Sequence, residues 1–193
     1  MKKLIALTLV AAALMLAATP AKALGDPYPK GTFIAGAYAG VLPGFGAALT
    51  GDYTIMNIWK GHLTGGLMTT WNRYPKYDFD IDVNFNDFDD YSIGYTTKKT
   101  YFNRFGIAPR VTYGLNITDA FEVHLGLSIG IGIAPGQEHP LAFCVGDVAG
   151  LRYFFTDNLA VSFEVSPLIA IGWQGTTWQY FSTAANVGVN FLF

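Results

Sequence analysis

Apolar and polar residues alternate along most of this chain with a period of two. The clearest example is 121–133, where every second residue from Phe121 is apolar and the residues between are small or polar. A period of two is that of a β-strand, whose successive side chains point to opposite faces of a sheet. The stretch from Ala185 to Phe193 repeats the pattern. The chain is therefore predicted to consist of strands with one apolar face.

The alternation predicts eight strands joined by connections of two kinds. The predicted strands are 32–41, 47–57, 62–74, 101–115, 121–133, 143–155, 159–173 and 180–193. Connections after the second, fourth and sixth strands are tight, whereas those after the third, fifth and seventh are longer. This rhythm is typical of outer-membrane barrels. We therefore predict an all-β fold, an eight-stranded antiparallel up-and-down transmembrane β-barrel. A soluble barrel, the alternative, would turn its aliphatic faces inward.

A leader precedes the predicted strands. The basic residues of Met1–Lys3 are followed by an apolar run over 4–18 and by small residues ending at Ala23. This order is the signature of a secretory signal peptide. Residues 1–23 are predicted to be cleaved, and residues 24–193 to form a single domain. No later apolar run approaches the roughly 20 residues of a spanning helix. A closed barrel is the other structure that pairs every backbone group within a membrane.

Charge and cysteine content exclude some classes of function. The leader holds three of the 12 basic residues, so 9 remain against 14 acidic residues, a formal net charge of −5. An acidic exported chain is a poor partner for nucleic acid. Cys144 is the single cysteine, which excludes a disulfide within the chain. No cofactor is expected.

Charged residues on the polar faces are the main candidate site. Six of them fall at similar heights in their strands: Asp52, Arg110, Glu122, His124, Arg152 and Glu164. The interior of an eight-stranded barrel is just wide enough for side chains, and unpaired buried charge is costly. These residues are predicted to pair as a layer that plugs the lumen. An ion-conducting or proton-responsive path is the alternative. Asp147, on an apolar face, predicts a rim position or a bulge.

Two stretches and the leader carry a resemblance to a known family. Gly150–Ala160 places Tyr-Phe-Phe-Thr-Asp-Asn across the last tight turn, and Val187–Phe193 alternates up to its aromatic end. The chain resembles the small outer-membrane barrels of the OmpA, OmpX and OmpW type. The resemblance implies a monomer in a bacterial outer membrane, in contact with its lipids and lipopolysaccharide. The terminal alternation is similar to the signal read by the barrel-assembly machinery, carried here by Val187, Val189, Phe191 and Phe193.

The resemblance implies several functions. We expect a structural or cell-surface interaction role through the loops at 75–99, 134–142 and 174–179. Passage of small hydrophobic or ionic solutes, as in OmpW-like proteins, is the alternative. Lipid A-modifying enzymes of similar size use Ser and His near the outer rim. Here only His139, beside Glu138, falls on that side, and no serine adjoins it. An enzyme is therefore not expected.

The segment 75–99 is the expected site of an extracellular partner. Its alternating Asp78, Asp80 and Asp82 echo the start of an EF-hand, but Val83 stands where that loop needs glycine. No metal site is therefore predicted, and the alternation predicts a strand extension instead. Its aromatic face offers a binding surface. Two aromatic girdles are also predicted. They are Tyr113, Phe121, Tyr153, Phe155 and Phe193 on the periplasmic side, and Trp71, Tyr101, Trp173 and Tyr180 on the outer side.

Overall fold

The computed structural model describes most of the chain beyond the predicted leader. The described residues are 28–42, 44–87, 90–118, 120–171, 173 and 178–193, without the side chains of 76–96 and of residue 178. The predicted cleavage after Ala23 lies outside them. No helix in this part of the chain is both long and apolar enough to cross a membrane.

The described residues form ten antiparallel strands. They are β1 Phe33–Val41, β2 Phe45–Ile58, β3 Gly61–Asp87, β4 Asp90–Thr118, β5 Phe121–Ile133, β6 Leu141–Thr156, β7 Leu159–Val165, β8 Ile169–Ile171, β9 Trp178–Tyr180 and β10 Ala185–Leu192. The prediction of an all-β antiparallel fold is confirmed.

Eight of the strands close into a ring. Strands β1 to β7 pair in sequence order, and β10 pairs with both β7 and β1. The short strands β8 and β9 pair with each other, and β8 continues on β6 where β7 leaves off. The turns after β2, β4 and β6 meet at one end, which we call the short-turn end. The opposite end, where β3 and β4 project, is called the long-hairpin end.

The hairpin of β3 and β4 is far longer than the predicted strands 62–74 and 101–115. Its pairing continues past the ring, from Arg73–Asn103 to Asp87–Asp90. The projecting part is roughly 45 Å long at about 3.3 Å per residue. A loop at 75–99 was therefore the wrong prediction, and the strand extension is confirmed. The predicted acidic and aromatic faces within 76–96 lie outside the described side chains.

The predicted seventh strand, 159–173, is interrupted. β7 ends at Val165 and β8 begins at Ile169, with Pro167 between them. Proline lacks the N–H that a central strand donates to its neighbour, so the ladder cannot run through it. Residues 181–184 are irregular as well, and the last strand begins at Ala185, not at 180. The predicted loop at 174–179 lies mostly outside the described residues.

The side chains of the ring are arranged inversely to those of a soluble protein. On β5 the outward Leu127 and Ile129 are 67% and 56% exposed, whereas the inward Glu122 and His124 are 0% and 2% exposed. The same strict alternation runs along β1 and β7. The strand faces that would form the core of a soluble fold therefore cover the outside, and the polar faces enclose the interior.

The interior is filled in three layers, whose order follows from β6. Phe154 lies at the short-turn end, Arg152 comes next, and Cys144 and Ala142 lie toward the long-hairpin end. The short-turn cluster comprises Tyr28, Ile34, Phe154, Ala160 and Leu192. The long-hairpin cluster comprises Met68, Ala108, Ala134, Ala142, Cys144, Leu168, Ala170, Trp173 and Phe181. The charged residues lie between these two apolar clusters.

Asp147 satisfies neither prediction made for it. The pairing of β5 with β6 runs without a shift through Leu127–Asp147, so no bulge is present there. The residue also lies in the middle of β6 and not at its rim. Its side chain is exposed on the outer, apolar face of the ring.

Candidate functional site: the charged interior of the ring

Glu122 is the centre of the interior network. It lies near the start of β5, opposite Arg152 of β6 in the pairing of these strands. Arg152 Nη1 donates a hydrogen bond of 2.6 Å to Glu122 Oε1. The other carboxylate oxygen accepts a hydrogen bond from the phenol of Tyr28 and lies 3.6 Å from His62 Nε2. Glu122 is fully buried, so these groups replace the water that a carboxylate otherwise needs.

Arg110 joins two further carboxylates. Its Nε donates to Asp52 Oδ1 at 2.8 Å, and its Nη2 forms a second bond to the same carboxylate. Its Nη1 lies 3.2 Å from Glu164 Oε1. Asp52, Arg110 and Glu164 come from β2, β4 and β7, which are not neighbouring strands in the ring. The guanidinium therefore spans the interior, and its planar fork fixes both acids.

His124 connects the two halves of the network. Its Nε2 lies 3.3 Å from Glu164 Oε2, and its Nδ1 lies 3.6 Å from Glu122 Oε1. The structure thus brings all six predicted residues into one buried group, which we call the charged layer: Asp52, Arg110, Glu122, His124, Arg152 and Glu164. Three acids, two arginines and a histidine balance one another across the interior.

Tyr28 and His62 belong to this network, and sequence reasoning missed both. The rings of Tyr28 and His62 lie 4.0 Å apart between centroids, and Arg152 Nη1 lies 3.4 Å from the Tyr28 hydroxyl. Burial raises the pKa of the Tyr28 phenol well above its ordinary value, and the charge of Glu122 adds to this rise. The phenol therefore stays protonated and donates a hydrogen bond to Glu122. Because Tyr28 precedes β1, no strand periodicity could place it inside.

Polar groups also hold the turn at residues 181–184 inside the ring. Thr70 Oγ1 donates to the carbonyl of Phe181 at 2.8 Å, and Asn72 Nδ2 donates to that of Ser182 at 3.1 Å. Arg104 Nη1 donates to the carbonyl of Tyr180 at 3.0 Å. Side chains of β3 and β4, on the far side of the interior, thus supply hydrogen bonds to the carbonyl groups of this irregular backbone. These bonds hold Phe181 above the charged layer.

Trp173 was wrongly assigned to an outer aromatic girdle. It is buried in the long-hairpin cluster, with its ring centroid 5.2 Å from that of Phe181 and its indole N–H donating to the carbonyl of Leu141 at 3.0 Å. The change of direction follows the interruption of the strand at Pro167. Trp71 and Tyr101, predicted for the same girdle, do lie near the long-hairpin end, and Tyr101 is exposed.

The other predicted residues lie away from the charged layer. Val187 and Val189 face outward on β10, while Phe191 and Phe193 lie at the short-turn end, where Phe193 pairs with Phe33 of β1. Glu138 and His139 are exposed in the connection between β5 and β6. Among the described residues, no group of three or more His, Cys, Asp or Glu side chains could hold a metal ion.

The charged layer can form ion pairs across the interior and can close the ring to passage along its axis. Its carboxylates are all engaged by arginine, tyrosine or histidine, and the layer is sealed at both ends by apolar clusters. Such a network fixes the register of the strands that supply it, because each pair is formed only in one arrangement of the ring. No protein-family model matches this sequence, and no curated protein is significantly similar to it.

Proposed function

We propose that this chain is an integral protein of a bacterial outer membrane. It inserts as an eight-stranded barrel with a plugged lumen, and it serves a structural or interaction role at the cell surface through the β3–β4 hairpin. The barrel contacts outer-membrane lipids and lipopolysaccharide as a monomer. Its terminal strand β10 carries the signal that the barrel-assembly machinery recognises.

The observation that carries this proposal is the inverted arrangement of side chains. Outward positions on β5, such as Leu127, Ile129 and Ile131, are aliphatic and exposed, whereas inward positions hold paired charges. In water, so large an apolar surface would drive aggregation. In a bilayer the same apolar surface faces hydrocarbon, and each strand of the ring pairs with a neighbour on both sides over most of its length.

The packed interior favours a plugged lumen and argues against a role in the passage of solutes. A path along the axis would cross the short-turn cluster, the charged layer and the long-hairpin cluster in turn. Phe181, in the last of these, is fully buried against Trp173. Each layer is packed by side chains that are themselves hydrogen-bonded or in apolar contact, so a conducting state would need all three to rearrange.

The β3–β4 hairpin supports an interaction role. It extends past the ring as a two-stranded ribbon whose outer edges have no strand neighbours among the described residues, because β2 stops pairing at Arg73 and β5 at Phe105. Unpaired edges expose backbone N–H and C=O groups that can accept another strand. A ribbon of this length is more than the ring needs for closure, and it therefore points to a partner outside the membrane.

Replacing Leu127 by lysine tests the membrane assignment. Leu127 is two thirds exposed in the middle of β5, so a lysine there costs about 2–4 kcal/mol in a bilayer and almost nothing on a soluble surface. The free energy of unfolding is measured by urea titration in phospholipid vesicles, with heat-dependent migration on detergent gels as the assay for folded protein. Lys60, already exposed in the β2–β3 turn, provides the control through Lys60→Leu. Equal stability of Leu127→Lys and wild type in vesicles would reject the assignment.

Cysteine labelling tests whether the hairpin is outside the cell. The native Cys144 is fully buried, so it gives little background. Thr97→Cys, at an exposed position of the projecting hairpin, should react with a membrane-impermeant maleimide on intact cells. Thr156→Cys, at the exposed short-turn end of β6, should react only after the outer membrane is permeabilised. The reverse order would place the hairpin in the periplasm and rule out a surface role.

A further inference from the structure

The outer face of the ring carries one feature that a purely lipid-facing wall does not need. Asp147 is exposed in the middle of β6, between Leu141 at the long-hairpin end and Thr156 at the short-turn end. Its carboxyl group has no hydrogen-bond or ion-pair partner among the described residues. An ionisable group at this depth of a bilayer is costly, and such groups usually mark a functional site with a specific partner.

The strand ladder is broken beside Asp147. β6 pairs with β7 at Ala149–Val165 and with β8 at Val145–Ile169, in one register, but residues 146–148 do not pair with residues 166–168 between these points. Pro167 lies opposite Asp147 in this register. A side chain at Gly146 would collide with the carbonyl oxygen of Pro167, so glycine is required for this close approach.

Two buried serines, Ser182 and Ser128, form hydrogen bonds beside the break from inside the ring. Ser182 Oγ accepts the N–H of Leu168 at 2.7 Å and donates to the carbonyl of Ser166 at 3.0 Å. These bonds satisfy the edge that faces β10. On β6, the carbonyl of Gly146 accepts a hydrogen bond from the Ser128 hydroxyl of β5 at 3.2 Å. The two serines act from inside the ring, and Asp147 lies beside the break on the outer face.

An apolar groove follows the break. It has a volume of about 380 Å³, and its walls include Leu127, Ile129 and Ile169 around Asp147. A second groove of about 240 Å³ shares Val145, Ile169 and Ile171 with the first and continues to Leu141 and Trp173 at the long-hairpin end. Together the two grooves run along the outer face of the ring from the long-hairpin end to the middle of β6, where the Asp147 carboxyl group lies.

The carboxyl group of Asp147 indicates which kind of molecule could bind in the groove. A second copy of this chain brings no cation to this depth, because the described lysines and arginines either point into the ring or lie at its ends. The interior ones are Arg104, Arg110 and Arg152, and the others are Lys30, Lys60, Arg73, Lys98 and Lys99. The amines of lipid headgroups stay at the interface, about half a bilayer away from this depth. A small molecule that enters the apolar region and carries its own hydrogen-bond donor meets both conditions.

We propose that the groove between β5, β6 and β8 binds a membrane-soluble alkyl- or arylamine, with its nitrogen on the Asp147 carboxyl group and its hydrocarbon part along Ile169 and Ile171. The proposal rests on the membrane assignment above. The carboxyl group is an acceptor for the amine N–H groups, and an ion pair with an ammonium is strong where water is excluded. The apolar walls remove the hydrocarbon part from competing water, which fixes the orientation of the ligand.

The test uses the full-length protein folded into phosphatidylcholine vesicles. The probe is decylamine carrying a nitroxide, which quenches tryptophan fluorescence at short range, and Trp173 borders the groove. Decanol with the same label measures simple partition into the bilayer. We expect saturable quenching by the amine only. Asp147→Asn should weaken it roughly tenfold to a hundredfold, the loss of one charge-assisted contact. Asp157→Asn, in the turn of the same hairpin, is the matched control and should leave it unchanged.

The outcomes separate this inference from the membrane assignment. Heat-dependent migration of every variant first establishes that the protein is inserted, and its absence would overturn the assignment and the amine site together. If the inserted wild type and Asp147→Asn bind the amine equally, or if amine and alcohol both quench without saturation, the amine site is wrong and the membrane assignment stands. A saturable amine signal that is lost only in Asp147→Asn establishes the site.

Discussion

Replacing Glu122 by leucine is expected to destabilise the folded protein by about 3–5 kcal/mol, the usual cost of leaving a buried charge without its partner. The guanidinium of Arg152 loses its 2.6 Å hydrogen bond and keeps, within the described part of the chain, the longer contact with Tyr28. Arg152 is almost fully buried, so water cannot replace the carboxylate. The free energy of unfolding is measured by urea titration in phospholipid vesicles.

A double variant distinguishes a lost partner from a lost fold. Glu122→Leu combined with Arg152→Met removes both charges, and an apolar pair of similar volume often restores the stability that a single charge deletion costs. The double variant should therefore be more stable than Glu122→Leu alone. Glu138→Leu, in the exposed β5–β6 connection, should change the stability by less than about 0.5 kcal/mol. If Glu122→Leu is as mild as Glu138→Leu, the charged layer does not hold the ring together.

Phe181→Ala is expected to cost about 3–5 kcal/mol, because it empties a fully buried site. The ring of Phe181 packs on Trp173 and lies directly over Gly132, where any side chain would collide with it. Glycine at this position therefore makes the room that the phenylalanine fills. The loss of the ring leaves a cavity that the strand backbone of β5 cannot close, since it is fixed by pairing on both sides.

Phe143→Ala is the control for the cavity. Phe143 is 68% exposed on the outer face of β6, where lipid can fill the space of the missing ring, so the same change should cost clearly less than at Phe181. Both variants are compared by urea titration in the same vesicles. Equal losses at the two positions would contradict the assignment of Phe181 to a packed plug.

The period of two predicted correctly those strands in which polar residues face the interior and apolar residues face outward. Phe121–Ile133 was predicted with its bounds as the structure has them, because each inward position there is small or polar and each outward position is apolar. The charged layer could be guessed for a related reason. Counting residues from the tight turns gives a height, and residues at one height in a narrow interior must meet.

The failures occurred where one residue or a distant contact overrides the alternation. Pro167 interrupts an apolar pattern that still reads as a strand through Trp173, and Trp173 consequently points inward. The hairpin of β3 and β4 was cut short, because its polar and aromatic residues in 75–99 are typical of a loop, and the pairing of β2 and β5 with this hairpin ends before them. Tyr28 left no periodic signal at all, because a single side chain entering the ring from outside the strands is fixed only by its partners.

In the terminal stretch from Ala185 to Phe193, the sequence gives the alternation of faces, and the structure gives the neighbours, β1 and β7. By itself the sequence determined that this chain is built from strands with one apolar and one polar face, since side-chain period is a local property of the backbone. Only the tertiary structure decided that the polar faces are enclosed, that Glu122 is shared by Tyr28 and Arg152, and that the Asp147 carboxyl group has no partner among the described residues. Those are relations between strands far apart in sequence, and they exist only once pairing closes the ring.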